Sequence, residues 1–204
     1  SNVPRKFKNS KAFKQFLKET DPLMTGSSSP EIKRFLQPKQ GMNCLDVGCC
    51  ANLATKRLDK WPSTYYGVDI SPVLIHEMNQ FVVESGIKIG GLEIAEMNSL
   101  PFSNAFFDIA MVIGVFEYVS MGYAASSLKE LYRVLKSEAR VVLDLPNLDH
   151  PHIETMFQLE KYLERPNIPK SREQFEQYLK PLFSIIEIND EYVMLKYLLI
   201  KREL

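Results

Sequence analysis

The chain has 204 residues, of which 45% are apolar and 25% charged, the balance of an ordinary globular protein long enough to bury a core. Its 25 basic and 25 acidic residues give a formal net charge of zero, so no overall field draws it to nucleic acid or to an anionic membrane. No apolar run reaches the length of about 18 residues that a membrane span needs.

The cysteines indicate a reducing compartment. Cys44, Cys49 and Cys50 are crowded into one short stretch, and an odd, crowded set is not a disulfide framework. No second ligand pair is spaced with them for a zinc site, and we predict no metal. The first ten residues carry charges and have no apolar centre, unlike a secretory signal. We therefore expect reduced thiols in a cytoplasmic protein.

A helical cap is predicted over residues 1–40. Three apolar side chains within 5–19 recur at the spacing of one helix face: Phe13, Phe16 and Leu17. The Asp-Pro pair at 21–22 is expected to end this helix, because proline disfavours the helical conformation in the residue before it. A second helix is expected over 30–37. The first of these helices is basic, so it is either a solvated face or a cover that draws an anionic substrate to the site.

Strands and helices alternate through the rest of the chain, 41–204, which we interpret as one domain. The runs that predict strands are 43–47, 64–69, 92–97, 106–114, 140–146, 182–188 and 192–200. The helices predicted between them cover 51–60, 72–84, 126–136 and 172–180. This alternation is typical of an α/β protein with a parallel sheet covered on both faces. The last two strands are too close in sequence for a crossover, so they must be antiparallel.

Residues 147–170 interrupt this alternation. The stretch is long for an ordinary connection and is interpreted as an inserted loop near the site.

Polar side chains follow three of the predicted strands. Asp46 and Asp69 end the first and second strands, and Glu96 ends the third. Ligands of parallel sheets bind at the carboxyl ends of the strands, where the strand order reverses. A carboxylate at the tip of the second strand can accept both hydroxyls of a ribose. This pattern predicts a ribose-bearing cofactor without choosing among such cofactors.

Four segments, in order and at fitting separations, resemble the class I S-adenosylmethionine-dependent methyltransferases. They are CLDVGCC, YYGVDISP, SLPFSNAFFD and LYRVLK, within residues 41–146. The resemblance implies a three-layer α/β sandwich whose mostly parallel seven-stranded sheet has an antiparallel last strand and helices on both faces. It also implies S-adenosylmethionine as the cofactor and S-adenosylhomocysteine as the product.

The resemblance carries roles onto matching positions. Asp46 and Gly48 would hold the methionine end of the cofactor, Asp69 would bind the ribose, and Met97 would pack on the adenine. The whole cofactor-binding set predicted in this way is Asp46, Gly48, Cys49, Cys50, Asn52, Asp69, Ile70, Glu96, Met97, Asn98, Ile113 and Gly114.

The turn after the first strand departs from the family pattern. Cys50 and Asn52 stand at two of three positions where the family has glycine. Asparagine tolerates left-handed backbone, whereas the β-carbon of Cys50 would cost about 1–2 kcal/mol there. Three interpretations stay open: a cofactor loop that still binds, a non-catalytic scaffold with a degenerate loop, and a site for another nucleotide.

Methyl transfer is an in-line displacement that needs alignment and, for a hydroxyl or amine acceptor, sometimes a base. Tyr118 lies where relatives frequently have histidine, and we predict a pocket wall, a substrate hydrogen bond or a weak base. His150 is a loop histidine, a general base or half of a metal pair with His152. Glu117 is a buried structural acid or a substrate contact.

The sequence thus predicts methyl transfer to an oxygen, nitrogen or carbon of a small molecule. IGVFEY replaces the NPPY-like tetrapeptide that would indicate base or glutamine methylation. Together with the net charge of zero, this argues against a nucleic-acid partner. The same net charge and the lack of a long apolar run argue against a membrane partner.

Overall fold

The structure, a computed structural model, describes residues 3–24 and 30–203, so residues 1–2 and 25–29 of the predicted cap lie outside it. The strands are β1 Asn43–Val47, β2 Thr64–Asp69, β3 Gly91–Ile94, β4 Phe107–Val112, β5 Leu135–Pro146, β6 Phe183–Asn189 and β7 Met194–Lys201. The α-helices are α1 Arg5–Lys8, α2 Lys11–Met24, α3 Pro30–Leu36, α4 Asn52–Lys56, α5 Pro72–Ser85, α6 Met121–Val134, α7 Ile153–Tyr162 and α8 Arg172–Leu179. Short 3₁₀ turns cover Leu58–Lys60 and Phe116–Tyr118.

The strands form one seven-stranded sheet in the order β3-β2-β1-β4-β5-β7-β6. β7 runs antiparallel to both of its neighbours, and the other pairs are parallel. The predicted α/β fold class is therefore confirmed, including the antiparallel last strand. Within the described residues, no helix has both the length and the apolarity of a membrane span.

The strand order reverses beside β1. The chain moves outward from β1 through β2 to β3, and then returns to the other side of β1 to form β4. Crossover connections on the two sides leave a crevice at the carboxyl ends of β1 and β4, which is where such sheets bind ligands.

Two apolar cores cover the two faces of the sheet. Along β4, Ala110 and Val112 face the core packed by α6 and α8, while Ile109 and Met111 face the core packed by α3 and α4. Successive strand residues point to opposite faces, so a nearly continuous apolar run satisfies both cores at once. This explains why β4 shows no polar alternation.

The helix predicted over 51–60 is broken. Arg57 adopts a left-handed conformation, with φ of +50°, and separates α4 from the 3₁₀ turn. Its guanidinium pairs with Asp59 at 2.7 Å.

The helix predicted over 126–136 begins earlier and ends earlier. Ser120 caps α6, its Oγ accepting the amide of Tyr123 at 3.2 Å. The later serines, Ser126 and Ser127, return their hydroxyls to the Tyr123 carbonyl inside the helix instead of starting one. Residues from Leu135 onward belong to β5, because pairing with β4 overrides local helix propensity.

The N-terminal segment packs on the stretch predicted as an inserted loop. That stretch contains a helix, α7, which the sequence reasoning missed. A third apolar cluster joins Phe13 and Phe16 of α2 to Ile153 and Met156 of α7. Helix α2 also continues to Met24, past the predicted end, since a proline disfavours the helical conformation before it without forbidding it. The division of the chain at residues 40 and 41 stays a prediction.

Candidate active site

A cavity of about 380 Å³ opens at the carboxyl ends of β1, β2 and β4. Six of the residues predicted to bind the cofactor line it: Gly48, Cys50, Asp69, Ile70, Met97 and Gly114. Tyr118, predicted for catalysis, lines it too. Residues that are scattered over 70 positions of sequence converge here because parallel strands end at one edge of the sheet.

The turn after β1 is left-handed at two points. Gly48 has φ of +70° and Cys50 has φ of +41°, so the β-carbon of Cys50 does stand in the conformation that disfavours it. Asn52, by contrast, begins α4 with helical backbone. The expectation that Asn52 substitutes for a left-handed glycine is therefore wrong, and its side chain has a different task.

That task is to hold Asp46. The side-chain amide of Asn52 donates to Oδ2 of Asp46 at 3.2 Å, and the Tyr65 hydroxyl donates to the same oxygen at 2.9 Å. Asp46 is fully buried and does not line the cavity. Burial raises its pKa from 3.8 to about 6, although both hydrogen bonds oppose the rise. Asp46 therefore shapes the turn from behind.

Gly48 lies directly against Val115 of the loop after β4. A β-carbon at position 48 would overlap Cγ2 of Val115, which itself lines the cavity. The glycine is thus required twice, for its positive φ and for the close approach of the loop after β4.

Asp69 fastens the loop while facing the cavity. Its Oδ2 accepts the amide of Cys50 at 2.8 Å, and its Oδ1 accepts the amide of Ser71 at 2.9 Å. A carboxylate has about four lone-pair positions, so each oxygen keeps one for a further donor. The two remaining positions fit the two hydroxyls of a ribose.

The wall beside Asp69 is apolar and suits a flat ring. Met97 is buried, whereas Ile70 is 66% exposed at the rim. The thioether and the aliphatic branch offer soft surfaces for an adenine. The residues present therefore fit an adenosine-bearing cofactor.

Four other predicted cofactor residues lie outside the cavity lining. Cys49 is buried beneath the loop, and burial raises the pKa of its thiol, so it is not a reactive thiolate. Glu96 is exposed and Asn98 half-buried beyond the rim. Ile113, directly after β4, packs against the core that α3 and α4 cover. Val112 before it faces the other core, because successive residues of an extended chain point to opposite faces of the sheet.

Comparison with known proteins gives the family. The model of the methyltransferase domain family matches residues 45–143, which span β1 to β5. No curated protein sequence gives a significant match. Residues 45–143 form a class I S-adenosylmethionine-dependent methyltransferase domain.

Solved structures share its fold. An S-adenosylmethionine-dependent methyltransferase from Methanosarcina mazei has 17% identity and a TM-score of 0.66 over 87% of this chain and 99% of its own. The geranyl diphosphate C-methyltransferase of Streptomyces coelicolor A3(2), crystallised with S-adenosyl-L-homocysteine, has 14% identity and a TM-score of 0.69 over 96% and 87%. A proposed methyltransferase of Haloferax volcanii, in complex with the Trm112 methyltransferase activator, has 12% identity and a TM-score of 0.70 over 98% and 100%.

The methyltransferase places Tyr118 beside two charged side chains. Its hydroxyl donates to Oε2 of Glu160 at 3.2 Å, and Nη1 of Arg165 lies 3.6 Å from the same oxygen. Burial, followed by the charges of Glu117 and Glu160, raises the pKa of Tyr118. Tyr118 therefore keeps its proton and acts as a donor, which counts against the weak-base alternative.

A buried acid pair lies behind the methyltransferase cavity. Oδ1 of Asp144 accepts the amide of Gly114 at 2.8 Å, which fixes the turn after β4. Glu117 is 6% exposed, and its Oε2 has no hydrogen-bond partner within the described ranges. Burial, and then the charge of Asp144, raises the pKa of Glu117 to about 8. Burial thus favours the protonated form of Glu117, which is not in the cavity lining.

His150 lies elsewhere in the methyltransferase. It lines a separate hollow together with Arg172 and Asp190, and the first cavity does not include it. The amide of His152 donates to Nδ1 of His150 at 3.2 Å. Over residues 3–24 and 30–203, no group of three or more histidine, cysteine or acidic side chains could hold a metal ion.

Sequence reasoning missed Val115, Glu160, Arg165 and Asp144. The sequence does offer a sign that Asp144 is functional, since it is the one acid in the apolar run 141–146 of β5. Glu160 and Arg165 had none, because they belong to the stretch interpreted as a loop.

Proposed function

We propose that this methyltransferase modifies a small molecule that is bound beside Tyr118, at the end of the cavity away from Asp69. The observation that carries this proposal is the size of the cavity. Its volume of about 380 Å³ is at the low end of the range of about 300–1,000 Å³ for small-molecule sites. Because S-adenosylmethionine would fill most of this volume, only a small acceptor could be bound beside it.

The sheet order supports this division of the cavity. Asp69 is the last residue of β2, whereas the turn with Gly114 and Tyr118 follows β4, and β1 lies between these two strands. Adenosine on the β2 side leaves the methionine end over Gly48 and Gly114, and the acceptor beyond it. When bound, S-adenosylmethionine supplies a methyl group on a positively charged sulfur.

The residues of the chain supply alignment rather than a base. Tyr118 is held as a hydrogen-bond donor by Glu160, and Val115 and Val119 add apolar surface to the cavity wall. An in-line displacement gains mainly from such positioning. An acceptor that is nucleophilic without deprotonation, at nitrogen, oxygen or carbon, fits this lining. The geranyl diphosphate C-methyltransferase of the same fold also acts on a small molecule.

The test has two stages. Calorimetry with S-adenosylhomocysteine on the wild type and on Asp69→Ala measures the cofactor site, and we expect the variant to bind at least tenfold more weakly. Loss of two charge-assisted hydrogen bonds of about 1.5–3 kcal/mol each would exceed that figure. No binding by the wild type would favour the non-catalytic alternative.

The second stage follows the methyl group. Cell extract is incubated with enzyme and methyl-labelled cofactor, then separated into small-molecule, protein and nucleic-acid fractions. We expect label in the small-molecule fraction with wild type and none with Asp69→Ala. Label that appears only in protein or nucleic acid would refute the proposal.

A further inference from the structure

The acceptor site carries one cationic side chain, and we propose that it selects the substrate. If the proposed function holds, Arg165 binds a carboxylate or phosphate group of the acceptor. The acceptor is then a small organic anion whose uncharged part lies against Tyr118, Tyr123 and Val119.

Charge is confined to the two ends of the cavity. Of the described residues that line it, only Asp69 and Arg165 carry full charges. Asp69 lies at the β2 side, and Arg165 lies at the β4 side, next to Tyr118. The walls between them are apolar or aromatic. An acceptor at the β4 end therefore meets a guanidinium as its only full charge on the wall.

The guanidinium is available to a ligand. Its side chain is 55% exposed, and its ion pair with Glu160 measures 3.6 Å. A strong charge-assisted N–H···O bond measures about 2.7–2.9 Å, so the ion pair is loose. Arg165 also contacts the Tyr118 hydroxyl, and these two partners still leave donors of the five unused. A guanidinium has five N–H donors and matches a carboxylate or phosphate with two parallel bonds.

The backbone that carries Arg165 is fastened to the cavity wall. The amide of Ile168 donates to the Glu117 carbonyl at 2.8 Å. The buried Lys170 ammonium donates to the carbonyls of Phe116 and Ile168 at 2.7 and 2.8 Å. Residues 165–170 therefore form a strap tied to the 3₁₀ turn that bears Tyr118. A fixed strap lowers the entropy lost when Arg165 binds a ligand.

One competing occupant needs a direct test. The cofactor has a carboxylate of its own, and Arg165 could bind that group instead of the acceptor. The two possibilities differ in a measurable way, because only one of them makes the affinity for S-adenosylhomocysteine depend on Arg165.

The experiment uses enzyme saturated with S-adenosylhomocysteine and three probes of similar shape: benzoate, phenyl phosphate and the neutral benzamide. Calorimetry measures each affinity for the wild type, Arg165→Gln and Arg165→Lys. We expect the wild type to prefer an anion to benzamide. Arg165→Gln should bind that anion about 10- to 100-fold more weakly, as expected for one lost charge-assisted contact. Arg165→Lys should recover part of the loss, and the preferred probe tells carboxylate from phosphate.

Two further variants separate recognition from damage to the fold. Arg172→Gln removes a similarly exposed arginine that lines the hollow containing His150, and it should leave anion binding unchanged. Glu160→Gln removes the carboxylate that competes for Arg165, while its amide oxygen can still accept from Tyr118. This variant should bind the anion more tightly, a direction that misfolding does not produce.

Three results would overturn the inference. Wild type that binds S-adenosylhomocysteine and neither anion would refute it while leaving the proposed function intact. Equal affinity for an anion and for benzamide would do the same. Weaker binding of S-adenosylhomocysteine by Arg165→Gln would assign the arginine to the cofactor. A wild type that fails to bind S-adenosylhomocysteine would instead refute the proposed function.

Discussion

Gly48→Ala tests the central contact of the cofactor turn. In the structure Gly48 has φ of +70°, and a β-carbon there would overlap Cγ2 of Val115. The variant should therefore both strain the backbone and push Val115 into the cavity, with a loss of stability and of cofactor affinity.

The magnitude has two parts. A β-carbon in left-handed backbone costs about 1–2 kcal/mol, and overpacking a closed contact costs about 1–3 kcal/mol more. We expect Gly48→Ala to lower the free energy of unfolding by about 2–5 kcal/mol in total. Gly86→Ala is the matched control: Gly86 also has positive φ, of +61°, but a β-carbon there would meet nothing within 4 Å. Gly86→Ala should therefore lower the free energy of unfolding by the backbone cost of about 1–2 kcal/mol alone.

Urea denaturation measures the stabilities, and calorimetry measures the affinity for S-adenosylhomocysteine. Combining Gly48→Ala with Val115→Ala removes the overlap, so the double variant should recover about 1–3 kcal/mol relative to the sum of the single effects. If Gly48→Ala costs no more than Gly86→Ala, or if Val115→Ala gives no recovery, the assignment of the contact is refuted.

Three other predictions concern the turn after β1 and the buried acid Glu117. Cys50→Gly should raise the free energy of unfolding by up to about 1 kcal/mol in urea titrations, because relief of the left-handed β-carbon exceeds the added entropy of glycine; a loss would contradict it. Asn52→Ala should weaken S-adenosylhomocysteine binding several-fold in calorimetry, since Asp46 loses one of its donors; an unchanged affinity would mean that Asp46 does not shape the turn. Glu117→Gln should flatten the fall in stability between pH 4.5 and about 8, where the folded chain keeps a proton that the unfolded chain releases. Urea titrations at several pH values check this, and equal slopes for variant and wild type would contradict it.

The sequence by itself determined the architecture and placed several of the predicted cofactor residues beside the cavity. Strand runs such as 43–47 and 106–114 predicted a buried parallel sheet, because apolar runs of that length cannot be satisfied on a surface. Asp69 and Gly48 could be placed at the edge of the sheet because strand ends converge by topology alone.

Tertiary structure alone brought Arg165 to the cavity and decided several local conformations. Arg165 reaches the cavity because Lys170 and Ile168 tie its strap to the turn after β4, and these bonds join residues about 50 positions apart. Asn52 became a partner of Asp46 rather than a left-handed residue once α4 began at that position. Such contacts depend on where separate elements meet, and hydrophobic periodicity, which reports only which face of each element is buried, does not encode them.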